Sequence, residues 1–157
     1  MVIPTCAASP LWLRSLRRYF ALLAIGNLGW EVAQLPLYTL WRDGTTAEIA
    51  FAVPHCTAGD VLIGLTALLG GLMAAGDDRW PGERFGAVAL ITIGIGLGYT
   101  VFSEWLNTEV RGTWAYSNLM PVLPGIGTGL SPLAQWLVIP GIAFWWVRPT
   151  RKLGNAT

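Results

Sequence analysis

The chain has 157 residues, 54% of them hydrophobic and only 12% charged, with a mean hydropathy of +0.52, which excludes an ordinary water-soluble domain. Ten basic residues against nine acidic leave a net charge of +1, and no Lys/Arg cluster is interleaved with stacking aromatics, which excludes nucleic acid as a partner.

A bilayer core about 30 Å thick needs about 20 apolar residues per helix. Residues 19–40, 57–75, 85–105 and 131–147 meet that need, predicting an all-α, four-helix membrane bundle that forms one domain over 1–157. Helix-ending chemistry bounds them: Arg42-Asp43-Gly44, Pro54, Gly76 through Gly82, and Gly112 through Pro124. Pro140-Gly141 predicts a kink in the fourth span. The first apolar run starts beyond Arg18 and lacks a small-x-small cleavage site, so it reads as a retained anchor.

Lys and Arg resist translocation. Arg14, Arg17, Arg18, Arg79, Arg84, Arg148, Arg151 and Lys152 fall on one side of this topology, Arg42 and Arg111 on the other. Both termini and residues 76–84 are therefore expected in the cytoplasm, with 41–56 and 106–130 exoplasmic, in a multi-pass protein of a bacterial cytoplasmic membrane. Cys6 and Cys56 then lie on opposite sides, which forbids a disulfide between them. Trp80, Trp105, Trp114, Trp145 and Trp146 fall near span ends, where amphipathic rings settle. Gly94 and Gly98 form a GxxxG pair, and Ala67, Gly71 and Ala75 a small-residue row, so spans two and three are expected to touch.

Ionisable groups inside a membrane cost about 2.5–3.5 kcal/mol each, so their positions invite a functional question. Glu31 is the deepest, about twelve residues into the first span and, at about 1.5 Å per residue, just beyond the midplane. Asn27, Glu31, Gln34 and Tyr38 follow i, i+4, i+7, i+11 and predict one polar stripe on a helix face. Thr57 and Asp60 have capping-box spacing at the expected start of span two, just after His55, the single histidine. A helix continuing past span three would put Glu104, Asn107, Thr108 and Arg111 on one face, with Gly112 as its stop. The Pro- and Gly-rich loop 114–130, with Trp114 and Tyr116, then reads as a lid, Ser131-Pro132 as the start of the last helix, and Gln135 as lying one turn deeper. These groups predict one shared pocket in the exoplasmic half, while the inner half carries almost no polar side chain. The alternative is that they are scattered interfacial residues.

Glu31-x-x-Gln34-x-Pro36-Leu37-Tyr38, His55-Cys56-Thr57-x-Gly59-Asp60 and the stretch from Glu104 to Pro140 resemble a small uncharacterised family of bacterial four-span proteins. The rhythm of Glu, Gly-x-Trp-x-Tyr, Pro and Trp in the last third is similar to carotenoid hydratase-like membrane proteins. That similarity implies carboxylates that protonate a polyene.

From the residues, the first reading is an acid–base enzyme, an isomerase or hydratase of a lipophilic isoprenoid or lipid. Glu31, His55, Asp60 and Glu104 would be its catalytic groups, and Asn27, Gln34, Tyr38, Asn107, Arg111, Trp114, Tyr116 and Gln135 its substrate-binding ones. The alternative is a non-catalytic lipid or pigment binder, or an accessory subunit meeting a membrane-protein partner or a second copy of itself. His55, Asp60, Glu31 and Glu104 could ligate a metal, but HxxxH and ExxH spacings are lacking, and no metal or other cofactor is expected. A carrier should place polar groups in both halves, and a phosphate loop, a GxSxG elbow and a CxxC pair are all missing.

Overall fold

The computed structural model describes residues 10–77 and 79–148; Cys6, Arg151 and Lys152 lie outside the described residues. Helix α1 (Pro10–Gln34) runs into a 3-10 turn (Leu35–Leu37) and a short helix α2 (Leu40–Asp43). Helices α3 (Thr46–Ala75) and α4 (Phe85–Trp105) follow, then a π turn (Leu106–Val110) and helix α5 (Leu130–Val147). Among the described residues, four segments are long and apolar enough to cross a membrane: Leu11–Leu37, Thr46–Ala75, Phe85–Val110 and Leu130–Val147. The protein is thus a multi-pass α-helical membrane protein. Among the described residues there is no strand, only isolated bridges between Tyr38 and Tyr116 and between Val122 and Gly129.

The helix boundaries depart from the sequence reading in instructive ways. The first helix starts at Pro10 rather than residue 19 and ends at Gln34, because Pro36 has no amide hydrogen to continue the ladder. Tyr38 is extended (φ −114°, ψ 149°) and therefore leaves the helical stripe. Pro54 does not end a helix. It lies inside α3, whose start is fixed eight residues earlier by a true capping box, in which the Thr45 hydroxyl accepts from the Glu48 amide and the Glu48 carboxylate accepts from the Thr45 amide at 2.7 Å. Asp60 is accordingly no cap, and the Thr57 hydroxyl donates to the Val53 carbonyl instead. Substituting Thr45→Ala should speed amide exchange over residues 46–48 roughly fivefold while leaving residues 60–75 unaffected, as read by hydrogen–deuterium exchange in detergent.

The four spans pack up and down, so the two ends of the described chain share one end of the bundle, called here the terminal end. The 38–45 and 106–129 connections share the other, the loop end. At the terminal end, Tyr19, Leu23, Trp80, Val88, Phe144 and Val147 belong to one buried apolar cluster, with the Tyr19 ring tilted on Phe144 at 4.9 Å. Trp80 is buried inside this cluster, while Trp105, Trp145 and Trp146 are exposed. The terminal half is also less apolar than expected. It buries Ser15, Thr92 and the hydroxyl of Tyr19, and neither Tyr19 Oη nor Trp80 Nε1 has a hydrogen-bond partner.

Helices α3 and α4 pack against each other, as the small-residue row predicted. A Cβ on Gly71 would lie 2.5 Å from Thr92 Oγ1 and 2.9 Å from the Val88 carbonyl oxygen, so only glycine permits this approach. The GxxxG pair, in contrast, faces outward, with nothing within 4 Å of a Cβ at Gly94 or Gly98. The buried face of α4 is instead Val88, Thr92, Gly96, Thr100 and Glu104, a strict i+4 row. Gly96 receives the Trp136 ring of α5.

Candidate functional site

The i, i+4, i+7 spacing on α1 does aim Asn27, Glu31 and Gln34 into the bundle near its loop end, where they meet α3 and α5. Gln135 of α5, 2% exposed, is the hub. Its Nε2 lies 2.9 Å from Asn27 Oδ1, 2.9 Å from Asp60 Oδ2 and 3.1 Å from Glu31 Oε1. The Glu31 and Asp60 carboxyls, from different helices, are also within hydrogen-bonding reach of each other. Gln34 Nε2 donates to Glu31 Oε1 at 2.8 Å and makes a longer contact of 3.4 Å to Gln135 Oε1. A relay continues outward, with Trp30 Nε1 donating to Ser131 Oγ at 3.1 Å and Ser131 Oγ donating to Gln34 Oε1 at 2.8 Å. Asn27 Nδ2 is buried without a partner.

Ser131 therefore serves the network and does not cap α5, which begins at Leu130 after Gly129. Its position beside Pro132 pointed to capping, and only the tertiary packing of α1 on α5 reveals its partners. Trp30 and Ser131 are the members of the network that sequence reasoning missed. Helical spacing could have found both, since Trp30 shares a face with Asn27 and Gln34 and Ser131 lies one turn before Gln135.

A second group surrounds Glu104, the last buried residue of α4. Tyr116 Oη donates a hydrogen bond to Glu104 Oε2, and Tyr38 Oη makes a long contact of 3.5 Å to the same oxygen. Tyr116 Oη in turn accepts from the Gly129 amide at 2.9 Å. The loop that carries Tyr116 crosses over the α1–α2 connection: the Thr39 amide donates to Ala115, the Ser117 amide to Leu37 and the Ser117 hydroxyl to Pro36. Both phenols are held well above the ordinary tyrosine value, Tyr38 by burial and then by the nearby Glu104 charge, Tyr116 by burial and then by its bond to Glu104. They stay neutral donors at every physiological pH. Cys56 is half-buried on α3, one turn before Asp60.

The remaining expected site residues do not join them. His55 is exposed and stacks on Phe51 at 5.0 Å, because α3 has already run for two turns by that point and turns residue 55 outward. Arg111 is exposed, and among the described residues it forms no ion pair. The shared face of Glu104, Asn107, Thr108 and Arg111 is broken by the π turn, in which the Arg111 amide reaches back five residues to Leu106 at 2.8 Å. Asn107 Nδ2 instead donates to the Ser103 carbonyl and Thr108 Oγ1 to the Glu104 carbonyl, each at 2.8 Å, so both serve the backbone. Gly112, at φ +60°, follows the turn as the expected helix stop. Trp114 is the exception: half-buried, its indole lies beside the Glu104 carboxyl, although its buried Nε1 makes no hydrogen bond of regular geometry. Among the described residues no three His, Cys, Asp or Glu side chains are grouped to hold a metal ion.

Asn27, Glu31, Gln34, Asp60 and Gln135 thus form one network, Tyr38, Glu104 and Tyr116 another, both at the loop end. Comparison of the chain with protein-family models, curated proteins and solved structures finds no match.

Proposed function

We propose that this chain is a membrane enzyme that moves a double bond in, or adds water to, a lipophilic isoprenoid or lipid by acid–base chemistry. The observation that carries the reading is the meeting of Glu31 and Asp60 at Gln135 Nε2. An amide nitrogen has two hydrogens, yet three oxygens converge on this one. Gln34 Nε2 serves the Glu31 oxygen at 2.8 Å, so what favours a single proton held between Glu31 and Asp60 is that two carboxyls in mutual reach cannot both stay charged in an apolar medium. A carboxyl pair sharing one proton in an apolar medium is a general acid beside its own conjugate base.

In an isomerisation, that proton adds to one carbon of the double bond and leaves a tertiary cation at the other. A carboxylate then takes a proton from the neighbouring carbon, and the double bond re-forms one position along with no net proton consumed. If water adds to the cation instead, its surplus proton returns to the carboxylate and the outcome is hydration. Glu104 is a second base, oriented by Tyr38 and Tyr116. Since Tyr116 rides on the 114–129 loop, lifting that loop uncovers Glu104 and admits substrate. The similarity to polyene-protonating membrane proteins agrees with this chemistry. The uneven distribution of Arg supports termini in the cytoplasm of a bacterium and the site in the outer half of its inner membrane. A non-catalytic holder of lipid or pigment is the second reading, favoured by how fully Gln34, Gln135 and Ser131 satisfy one another.

Heavy water separates the two without knowledge of the substrate. The protein is reconstituted in nanodiscs with bacterial lipid extract and D2O, and lipids are examined by mass spectrometry for carbon-bound deuterium beside a double bond. The natural chain should label one lipid class, and Glu31→Gln or Asp60→Asn should cut that labelling at least about 100-fold while helicity is kept. Absence of carbon-bound deuterium with the natural chain would leave the holder.

A further inference from the structure

We infer that a cleft at the loop end, between the π turn and the Gly125–Thr128 turn, holds the ammonium head group of a membrane lipid. The cleft has a volume of about 330 Å³ and is lined by Trp105, Thr108, Glu109, Ile126 and Thr128 together with glycines 125 and 127. It lies outside both polar networks and does not depend on the acid–base chemistry proposed for them.

Three observations identify the ligand. Trp105 and Glu109 both line the cleft. An indole face with an anion beside it is the pairing that selects an organic cation, since the ring quadrupole and the carboxylate both attract positive charge. Thr128 is 2% exposed and lines the cleft, yet its hydroxyl has no hydrogen-bond partner. A buried hydroxyl left unpaired is costly, and a head-group N–H or oxygen entering the cleft would satisfy it once the Thr128 side chain turns toward it. Finally, Tyr99, Phe102 and Trp105 form a ladder of outward-facing rings along α4, with centroids 6.3 Å and then 6.1 Å apart, ending at the cleft. This strip runs down the lipid-facing surface, where an acyl chain would lie, and it favours a lipid over a soluble amine. The π turn makes the cleft. Its wider backbone ring displaces Glu109 from the regular helical path, and the positive φ values of Gly125 (+85°) and Gly127 (+75°) turn the opposite wall away.

Native mass spectrometry tests this on the full chain in mild detergent, supplied with equal amounts of phosphatidylethanolamine and phosphatidylglycerol of identical acyl chains. The natural chain should retain the ethanolamine lipid preferentially. Glu109→Gln and Trp105→Leu should each reduce that preference roughly five- to tenfold, and Glu31→Gln should leave it unchanged. Circular dichroism of each variant separates lost binding from lost folding, and Glu109→Asp, which keeps the charge, should retain most of the preference. Equal retention of the two lipids, or a preference that survives both substitutions, overturns the site. Ethanolamine alone binding with the same occupancy overturns the lipid as its source.

Discussion

Replacing Gln135 by leucine is expected to destabilise the bundle by about 2–4 kcal/mol, the largest single-residue effect within the polar network. The side chains have similar volume, so packing against Trp136 and α1 is largely kept and the loss falls on hydrogen bonding. Without Nε2, Asn27 Oδ1 and Asp60 Oδ2 lose a donor at 2.9 Å, and the Glu31 carboxyl keeps only Gln34 and Asp60. Three helices are tied at this atom, so the cost is a tertiary one. In lipid, a single interhelical hydrogen bond averages well under 1 kcal/mol because the separated helices find other partners. Gln135 exceeds that average because it leaves several buried groups unpaired at once. Reversible unfolding in mixed dodecyl sulfate micelles measures the difference, with Leu137→Ala, on the exposed face of the same helix, expected to change stability by less than about 0.5 kcal/mol. If the two variants unfold alike, Gln135 does not hold the helices together and the shared proton loses its structural basis.

The span count, the placing of Asn27, Glu31 and Gln34 on one face and the burial of Gln135 were all legible in the sequence. Each rests on hydropathy or on 3.6-residue periodicity, which a single helix expresses without its neighbours. What went unread depends on competition between local signals or on partners distant in the chain. Pro54 and the Thr57/Asp60 spacing imitate a helix start, but the Thr45–Glu48 box lies upstream, and a helix already formed carries Pro54 at the loss of one bond. That shift of the start explains why Asp60 faces Gln135 as a network member rather than an amide cap, and why His55 faces out. The π turn after Trp105 is invisible to a pattern that assumes a constant period, so the grouping of Arg111 with Glu104 fails there. Glycine rows carried a similar ambiguity: spacing shows that small residues recur, but not which row meets another helix.

That ambiguity gives the second large effect. Gly96→Ala should cost at least about 2 kcal/mol, although it adds only one methyl group. The added carbon would stand 2.1 Å from Trp136 Cε3 and 2.4 Å from Cζ3, inside the ring itself. Trp136 is 2% exposed and a rigid indole has no flexible end to withdraw, so α5 must move away from α4. Gln135 is the adjacent residue, and any displacement of α5 there lengthens its contacts to Glu31 and Asp60. Packing at Gly96 and proton sharing at the carboxyl pair are therefore coupled through one step of backbone. Gly94→Ala and Gly98→Ala, which meet nothing within 4 Å, should be neutral or stabilise by up to about 1 kcal/mol through helix propensity. The same micelle unfolding experiment ranks the three. A loss at Gly94 or Gly98 equal to that at Gly96 would mean that α4 turns its GxxxG face to a neighbour, and with it that Glu104 points away from Tyr116.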